Sequence, residues 1–298
     1  MVKREKIICV VGTTASGKSD IGVDLALEFG GEIISADSRQ VFRGLNLGSG
    51  KITPEETKGV PHHLLDVCKP NDFFSMANFQ AMAYEAIEGI LERGNRPFLV
   101  GGTGLYVDSV AEGYLLSGNA PDLEYRAKLE TYDTPALYAM LMEKMPDCDV
   151  DPRNRNRVMR ILERIASGDD MTPRREPRYD ALMLGITWPR PELCQRIDER
   201  LQRRMDMGML DEVRSLMANG ATPEFLDKLG LEYRYLYRRI SGQISSDEEM
   251  LDELSRAIKR FAKRQMIWFR RNKSILWLDM HGDYMGQARQ AIEAFLNT

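Results

Sequence analysis

Two hydrophobic rhythms alternate along the first third of the chain. Lys6–Val11 is an unbroken apolar run of Ile, Cys and Val, the pattern of a strand buried on both faces. From Lys18 to Phe29 the apolar positions Ile21, Leu25, Ala26 and Phe29 recur at helical spacing, and Gly30-Gly31 closes the helix. A second strand is predicted over 32–36. Residues 39–74 are rich in Gly and Pro and read mostly as loop. Ser75 predicts an N-cap for a helix reaching Arg93. One face of that helix carries Phe79, Met82, Ala83, Ala86, Ile87, Ile90 and Leu91, and Gly94 follows it. A strand over 97–100 comes next, then a helix from about Gly104.

Strand–helix alternation of this kind predicts an α/β fold, a parallel sheet flanked by helices on both faces. The rhythm breaks over 117–178, which is polar, Arg-rich and helical in pattern. It resumes with a strand at Ala181–Thr187, one long helix from Pro191 to about Asn219, helices near 231–240 and 247–272, and a last strand at Ser274–Leu278. The expectation is a core in two parts, 1–116 and 179–298, interrupted by a small all-helical insertion at 117–178.

Between the first strand and the first helix stands Gly12-Thr13-Thr14-Ala15-Ser16-Gly17-Lys18-Ser19, which fits G-x-x-x-x-G-K-[ST] without a gap. This is a P-loop: its glycines let successive backbone N–H groups face a phosphate, and Lys18 adds a point charge. Ser19 offers a hydroxyl to Mg²⁺, and the helix N-terminus favours an anion. The loop implies a diphosphate or triphosphate ligand without saying what carries it.

In a motor or signalling NTPase a later strand ends in an Asp that helps to hold Mg²⁺. Here the strand at 97–100 runs into Gly101-Gly102-Thr103-Gly104. Thr103 can donate to a phosphate oxygen, or cap the next helix. Asp37, at the end of the second strand, reads equally as a proton acceptor, a Mg²⁺ ligand or a solvated turn residue. A carboxylate beside a neutral hydroxyl suits attack at a carbon bearing diphosphate better than attack at phosphorus. His62 and His63 are adjacent, so in a regular element they point apart. They read as a hydrogen-bonded structural pair rather than as metal ligands.

Net charge narrows the partners. At −4 the chain is not a globally basic nucleic-acid binder, so any such role rests on local patches. Two are present. Arg153, Arg155, Arg157, Arg160 and Arg164 crowd the insertion, and no acid occurs between Arg256 and Lys273, where Arg and Lys interleave with Phe261, Trp268 and Phe269. Four cysteines without metal spacing read as reduced thiols of a cytoplasmic protein. No apolar run is long enough to span a membrane.

These motifs, in this order, resemble the tRNA dimethylallyltransferases, bacterial type, over nearly the whole chain. The strings that carry the resemblance are GTTASGKS, ADSRQVFRGLNLGSGK, VPHHLLD, VGGTGLY, RVMRILE and FAKRQMIWFR. The resemblance implies transfer of a dimethylallyl group from dimethylallyl diphosphate to N6 of the adenosine 3′-adjacent to the anticodon. It makes Asp37 the base on the amine and Thr103 the partner of the bridging oxygen. Gly12 through Ser19 (Gly12, Thr13, Thr14, Ala15, Ser16, Gly17, Lys18, Ser19), with Arg234 and a Mg²⁺ ion on Ser19, would hold the diphosphate. Asp37, Ser38, Arg39, Gln40, Thr103, Arg126, Arg157, Arg160, Arg264 and Gln265 would contact the tRNA anticodon stem-loop. A monomer is expected. The alternatives are a P-loop small-molecule or nucleoside kinase, a transferase acting on free adenosine monophosphate, and a noncatalytic RNA-binding protein.

Overall fold

The structure is a computed structural model that describes residues 4–115, 122–169 and 174–298. The chain divides into two units, one running to Gly113 and resuming over Pro177–Thr298, the other spanning Tyr114–Glu176.

The larger unit opens with β1 (Lys6–Gly12), α1 (Lys18–Glu28), β2 (Gly31–Ser35), the two-residue β3 (His62–His63), α2 (Met76–Glu92), β4 (Arg96–Gly101) and α3 (Gly104–Ala111). The N-cap expected at Ser75 is formed, and it is completed as a capping box: its side chain accepts from Asn78 N while Asn78 Oδ1 accepts from Ser75 N. The smaller unit holds β5 (Tyr114–Leu115), α4 (Leu123–Glu130), α5 (Thr134–Lys144), α6 (Arg155–Ala166) and β6 (Arg174–Arg175). Its helices close on Leu129, Leu137, Leu141, Val158, Met159 and Leu162, a small core of its own. β5 and β6 pair antiparallel.

After the smaller unit come β7 (Asp180–Thr187), α7 (Arg190–Asp206), α8 (Met209–Ala218), α9 (Pro223–Leu229), α10 (Leu231–Ile240), α11 (Asp247–Phe269), β8 (Leu276–Asp279) and α12 (Tyr284–Leu296). The single helix expected from Pro191 to Asn219 is thus two. Gly208, at φ +94°, takes a left-handed conformation that breaks the run, and Asp211 and Glu212 then favour a fresh N-terminus. Helices α9 and α12 were not anticipated.

The six strands of the larger unit form one parallel sheet in the order β3-β2-β4-β1-β7-β8. β1 is central and buried on both faces, as its apolar run requires. Ile7, Cys9 and Val11 pack with Phe79, Ala83, Ile87 and Ile90 of α2. Ile8 and Val10 pack on the other face with Ile21 and Leu25 of α1 and with Ala288 and Ile292 of α12. A third cluster buries Ile197 and Leu201 of α7 against α8, α10 and α11. This last packing fixes which face of α7 is left for the carboxyl edge of β1.

Candidate active site

The phosphate loop leaves β1 and enters α1 through Gly17, which caps the helix at φ +87°. Trp188, just past β7, donates its indole N–H to Ser16 O at 2.9 Å. Arg196 donates to Ala15 O at 3.0 Å and lies over the Trp188 ring, 4.4 Å from its centroid. Arg200 donates to the hydroxyl of Thr14. Arg196, Arg200 and Arg204 recur every fourth residue and so form a stripe along α7 toward the loop. That spacing is visible in the sequence as arginines at i, i+4 and i+8, although only the packing of α7 shows that they meet the loop.

An open cleft of about 320 Å³ lies beside the loop. Lys18, Ser19, Arg200, Arg204, Gly50 and Lys51 are among the residues that line it. Burial pushes the Lys18 amine down to about 8, with the Asp37 carboxylate working against the fall and Arg200 and Arg204 adding to it. Burial likewise lowers the Arg200 guanidinium to about 9, and the nearby Arg204 contributes. Cations brought this close in a partly dry site favour an anion between them.

Asp37 and Thr103 come together at the same sheet edge. Ser38 N donates to Thr103 Oγ1 at 3.0 Å, and Thr103 N donates to Ala36 O at 3.1 Å, so the threonine is bonded to the residue on each side of Asp37. Gly101 permits this approach: a Cβ there would lie 2.2 Å from Ala36 O. Thr103 occupies the N-cap of α3, but its side chain does not bond its own helix; the hydroxyl faces Ser38 instead. Asp37 Oδ1 accepts from Arg39 N at 2.9 Å, which fixes the carboxylate in a turn.

The remaining residues expected at RNA or diphosphate divide in two. Several are bound within the protein. Arg39 pairs with buried Glu232 at 2.8 Å, and Gln40 holds Ser35 Oγ at 2.8 Å and Gly50 O at 3.0 Å. Gln265 is buried, accepting from Thr14 N and donating to Gly102 O, both at 2.8 Å. Its amide therefore braces the loop from inside. Arg234 does not line the cleft; its guanidinium is committed to Asp227 at 3.1 Å. Arg264 is exposed on α11, 5.7 Å from the Phe261 ring centroid. Within the smaller unit, Arg126 and Arg160 both pair with buried Glu163, at 3.0 and 3.2 Å. Arg157 is exposed.

The histidine pair is hydrogen-bonded within the protein: His62 Nδ1 lies 2.8 Å from Val60 O, and His63 Nε2 lies 2.7 Å from Glu32. No helix among the described residues is long and apolar enough to cross a membrane.

The sequence profile described as IPP transferase matches residues 40–272, and that described as isopentenyl transferase matches residues 5–70. A protein of Shewanella sediminis named tRNA dimethylallyltransferase 2 is 41% identical over 98% of this chain and 99% of its own length. The chain belongs to the tRNA dimethylallyltransferase family. Among solved members, the full-length tRNA isopentenylpyrophosphate transferase of Bacillus halodurans matches with a TM-score of 0.75 at 38% identity, covering 99% of this chain and 96% of that one. A eukaryotic dimethylallyltransferase, captured acting on tRNA, matches with a TM-score of 0.77 at 25% identity, over 92% of this chain and 74% of its own. The parallel sheet with flanking helices is thus the fold of this family's enzymes, and the glycine–threonine end of β4 is read in that setting.

Proposed function

We propose that this enzyme transfers a dimethylallyl group from dimethylallyl diphosphate to N6 of the adenosine 3′-adjacent to the anticodon of tRNA. The observation that carries the reading is the bonding of Thr103 beside Asp37 at the edge of a phosphate loop. A carboxylate and a neutral hydroxyl thus share one corner with a cationic cleft. Family membership supports the transferase over a kinase and over a transferase of free adenosine monophosphate.

In this reading the backbone of Gly12–Ser19, with Lys18 and Arg200, binds the diphosphate. The target adenine leaves its stack and enters the core, because N6 cannot otherwise reach a carbon held at the sheet edge. N6 attacks the first carbon of the prenyl group, and the bond from that carbon to the bridging oxygen breaks. Asp37 orients the amine and takes its proton as the new C–N bond forms. Thr103 Oγ1 already accepts from Ser38 N, and its own hydrogen reaches only Ser38 Oγ at 3.4 Å, a weak bond that leaves it available to the leaving oxygen.

Ser19, which lines the cleft, supplies a hard oxygen donor at the loop. Mg²⁺ takes one or two such groups together with substrate phosphates, so this residue fits the ion. When bound, it would neutralise charge developing on the diphosphate. We take the enzyme to act as a monomer in the cytoplasm.

The test is one incubation of the protein with dimethylallyl diphosphate, Mg²⁺ and unmodified tRNA, followed by nucleoside mass spectrometry. N6-dimethylallyladenosine at the position after the anticodon is the expected product. Prenylation of free adenosine monophosphate alone, or hydrolysis of ATP without tRNA, would reject the reading.

A further inference from the structure

Two of the three arginines on the α7 stripe spend hydrogen bonds on the phosphate loop itself, Arg196 on Ala15 O and Arg200 on Thr14 Oγ1. Arg204 lines the same cleft with its side chain largely buried, yet among the described residues it makes no hydrogen bond and no ion pair. A guanidinium carries five N–H donors and cannot shed its charge, so burial without an acceptor is costly.

Its position is nevertheless built. Gly50 lies against it so closely that a Cβ would stand 1.9 Å from Nη2. Gly50 is itself held, because its carbonyl accepts from Gln40 Nε2 at 3.0 Å and its N–H donates to Leu47 O at 3.1 Å. Glu232 closes the other side of a small gap lined by Arg200, Arg204 and Ile197. That carboxylate is already engaged, by Arg39 at 2.8 Å. Burial lowers the Arg204 guanidinium, and Glu232 only opposes the shift.

We propose that Arg204 is a further ligand of the prenyl donor's diphosphate, presenting adjacent N–H groups of its guanidinium to the anion held by the phosphate loop. The proposal rests on the reading of the cleft given above. It assigns the vacant donors of a buried cation to the one strong acceptor that the cleft is shaped to take, and the planar fork suits paired phosphate oxygens. Gly50 is then glycine on two counts, its φ of +66° and the fork that occupies the space of a side chain.

Binding of inorganic pyrophosphate with Mg²⁺ is measured by calorimetry for the wild type, Arg204→Met, Arg204→Lys, Gly50→Ala and Lys18→Ala, with tRNA binding followed in parallel. Arg204→Met is expected to lose about 10- to 100-fold in pyrophosphate affinity, the range for charged hydrogen bonds. Its KM for dimethylallyl diphosphate should rise in step while tRNA affinity holds. Arg204→Lys, which keeps the charge and loses the fork, should fall between. Gly50→Ala, which pushes the fork aside and leaves its charge, should move the same way.

Wild-type pyrophosphate affinity in Arg204→Met, with Lys18→Ala impaired, would overturn the proposal and leave Arg204 as a counter-charge to Glu232. A loss confined to tRNA binding would also overturn it, by assigning the fork to an RNA phosphate. If Lys18→Ala and Arg204→Met both bound pyrophosphate normally, the diphosphate reading of the cleft itself would fall. Should Arg204→Met not fold, Arg204→Lys and Gly50→Ala decide: normal affinity in both rejects the assignment.

Discussion

Gln265 and Thr14 stand 251 positions apart, and Thr14 N donates to Gln265 Oε1 at 2.8 Å while the same amide's Nε2 donates to Gly102 O at 2.8 Å. One side chain from α11 thereby ties the loop after β1 to the end of β4. A glutamine is needed because the bridge uses one acceptor and one donor. Gln265→Leu should lose about 1–3 kcal/mol for each polar group left unpaired in the interior, read as a lower denaturant midpoint. Gln265→Glu keeps the acceptor but adds a negative charge beside the phosphate site, so pyrophosphate affinity should fall more than stability does. Equal pyrophosphate binding in Gln265→Glu and wild type would mean that the amide braces the fold without bearing on the ligand.

Asp37→Asn preserves size and one hydrogen-bond acceptor but cannot take a proton. Single-turnover transfer with both substrates saturating should slow by roughly 10²–10⁴-fold, the usual contribution of a positioned base. Binding of tRNA and of pyrophosphate should stay near normal. A near wild-type rate would remove Asp37 from the role of base. Loss of Mg²⁺-dependent pyrophosphate binding instead would move it to the metal.

Two of the arginines of α6, Arg157 and Arg160, are not equivalent. Arg160 is paired with Glu163 at 3.2 Å, whereas Arg157, also exposed, is in no ion pair among the described residues. If both reach tRNA, Arg157→Ala should reduce the slope of log affinity against log salt by about one unit per phosphate contact. Arg160→Ala should reduce it less, because Arg160 must first give up Glu163. Unchanged slopes in both folded variants would make this helix face a solvated one.

The sequence carried the five longer strands, β1, β2, β4, β7 and β8, the phosphate loop and the corner of Asp37 and Thr103, because each is a local pattern: an apolar run, a glycine spacing, a strand end. What escaped it was contributed by partners distant in the chain. Arg204 becomes notable only when α7 is laid beside Gly50. Gln265 sits in a basic string and the resemblance makes it an RNA contact, whereas its burial depends on where β1 and β4 end. The family resemblance implies Arg234 at the diphosphate, and its capture by Asp227 follows from a helix, α9, that the hydrophobic pattern does not predict. The break of α7 from α8 rests on one glycine inside an otherwise continuous amphipathic pattern.

Glu32 anchors the strand edge away from the site. Arg93, Asn95 and His63 all reach its buried carboxylate, at 2.7 to 2.9 Å. Hydrogen bonding to Arg93 first, then to Asn95 and His63, brings its pKa down to about 2 from 4.5, against the opposing effect of burial. The folded value is below the unfolded one, so the stabilisation is full above pH about 4.5 and is lost as pH falls toward 2. Glu32→Gln should therefore lower stability at neutral pH and flatten its acid-side decline. Parallel wild-type and variant curves of unfolding free energy between pH 6 and 3 would contradict this.

Lys18 should give the diphosphate site a pH limit. Burial brings its amine to about 8 in the folded chain, from 10.5. Above pH 8 the free enzyme loses the charge that would meet the diphosphate, so pyrophosphate affinity should decline as pH climbs through that value, and the bound anion should draw a proton back. The stability sign runs the other way. Between about 8 and 10.5 the unfolded chain holds a proton that the folded chain has released, so this group makes the ligand-free protein more stable as pH rises across that window. Calorimetry at pH 6.5 to 9.5 in buffers of different ionisation enthalpy measures the proton uptake directly. Lys18→Met serves as the reference, since pyrophosphate also titrates in this range. The expected difference is an inflection near pH 8 with proton uptake in the wild type, absent from the variant. The same profile in both proteins would show that Lys18 stays charged throughout, and that burial does not weaken its hold on the proton.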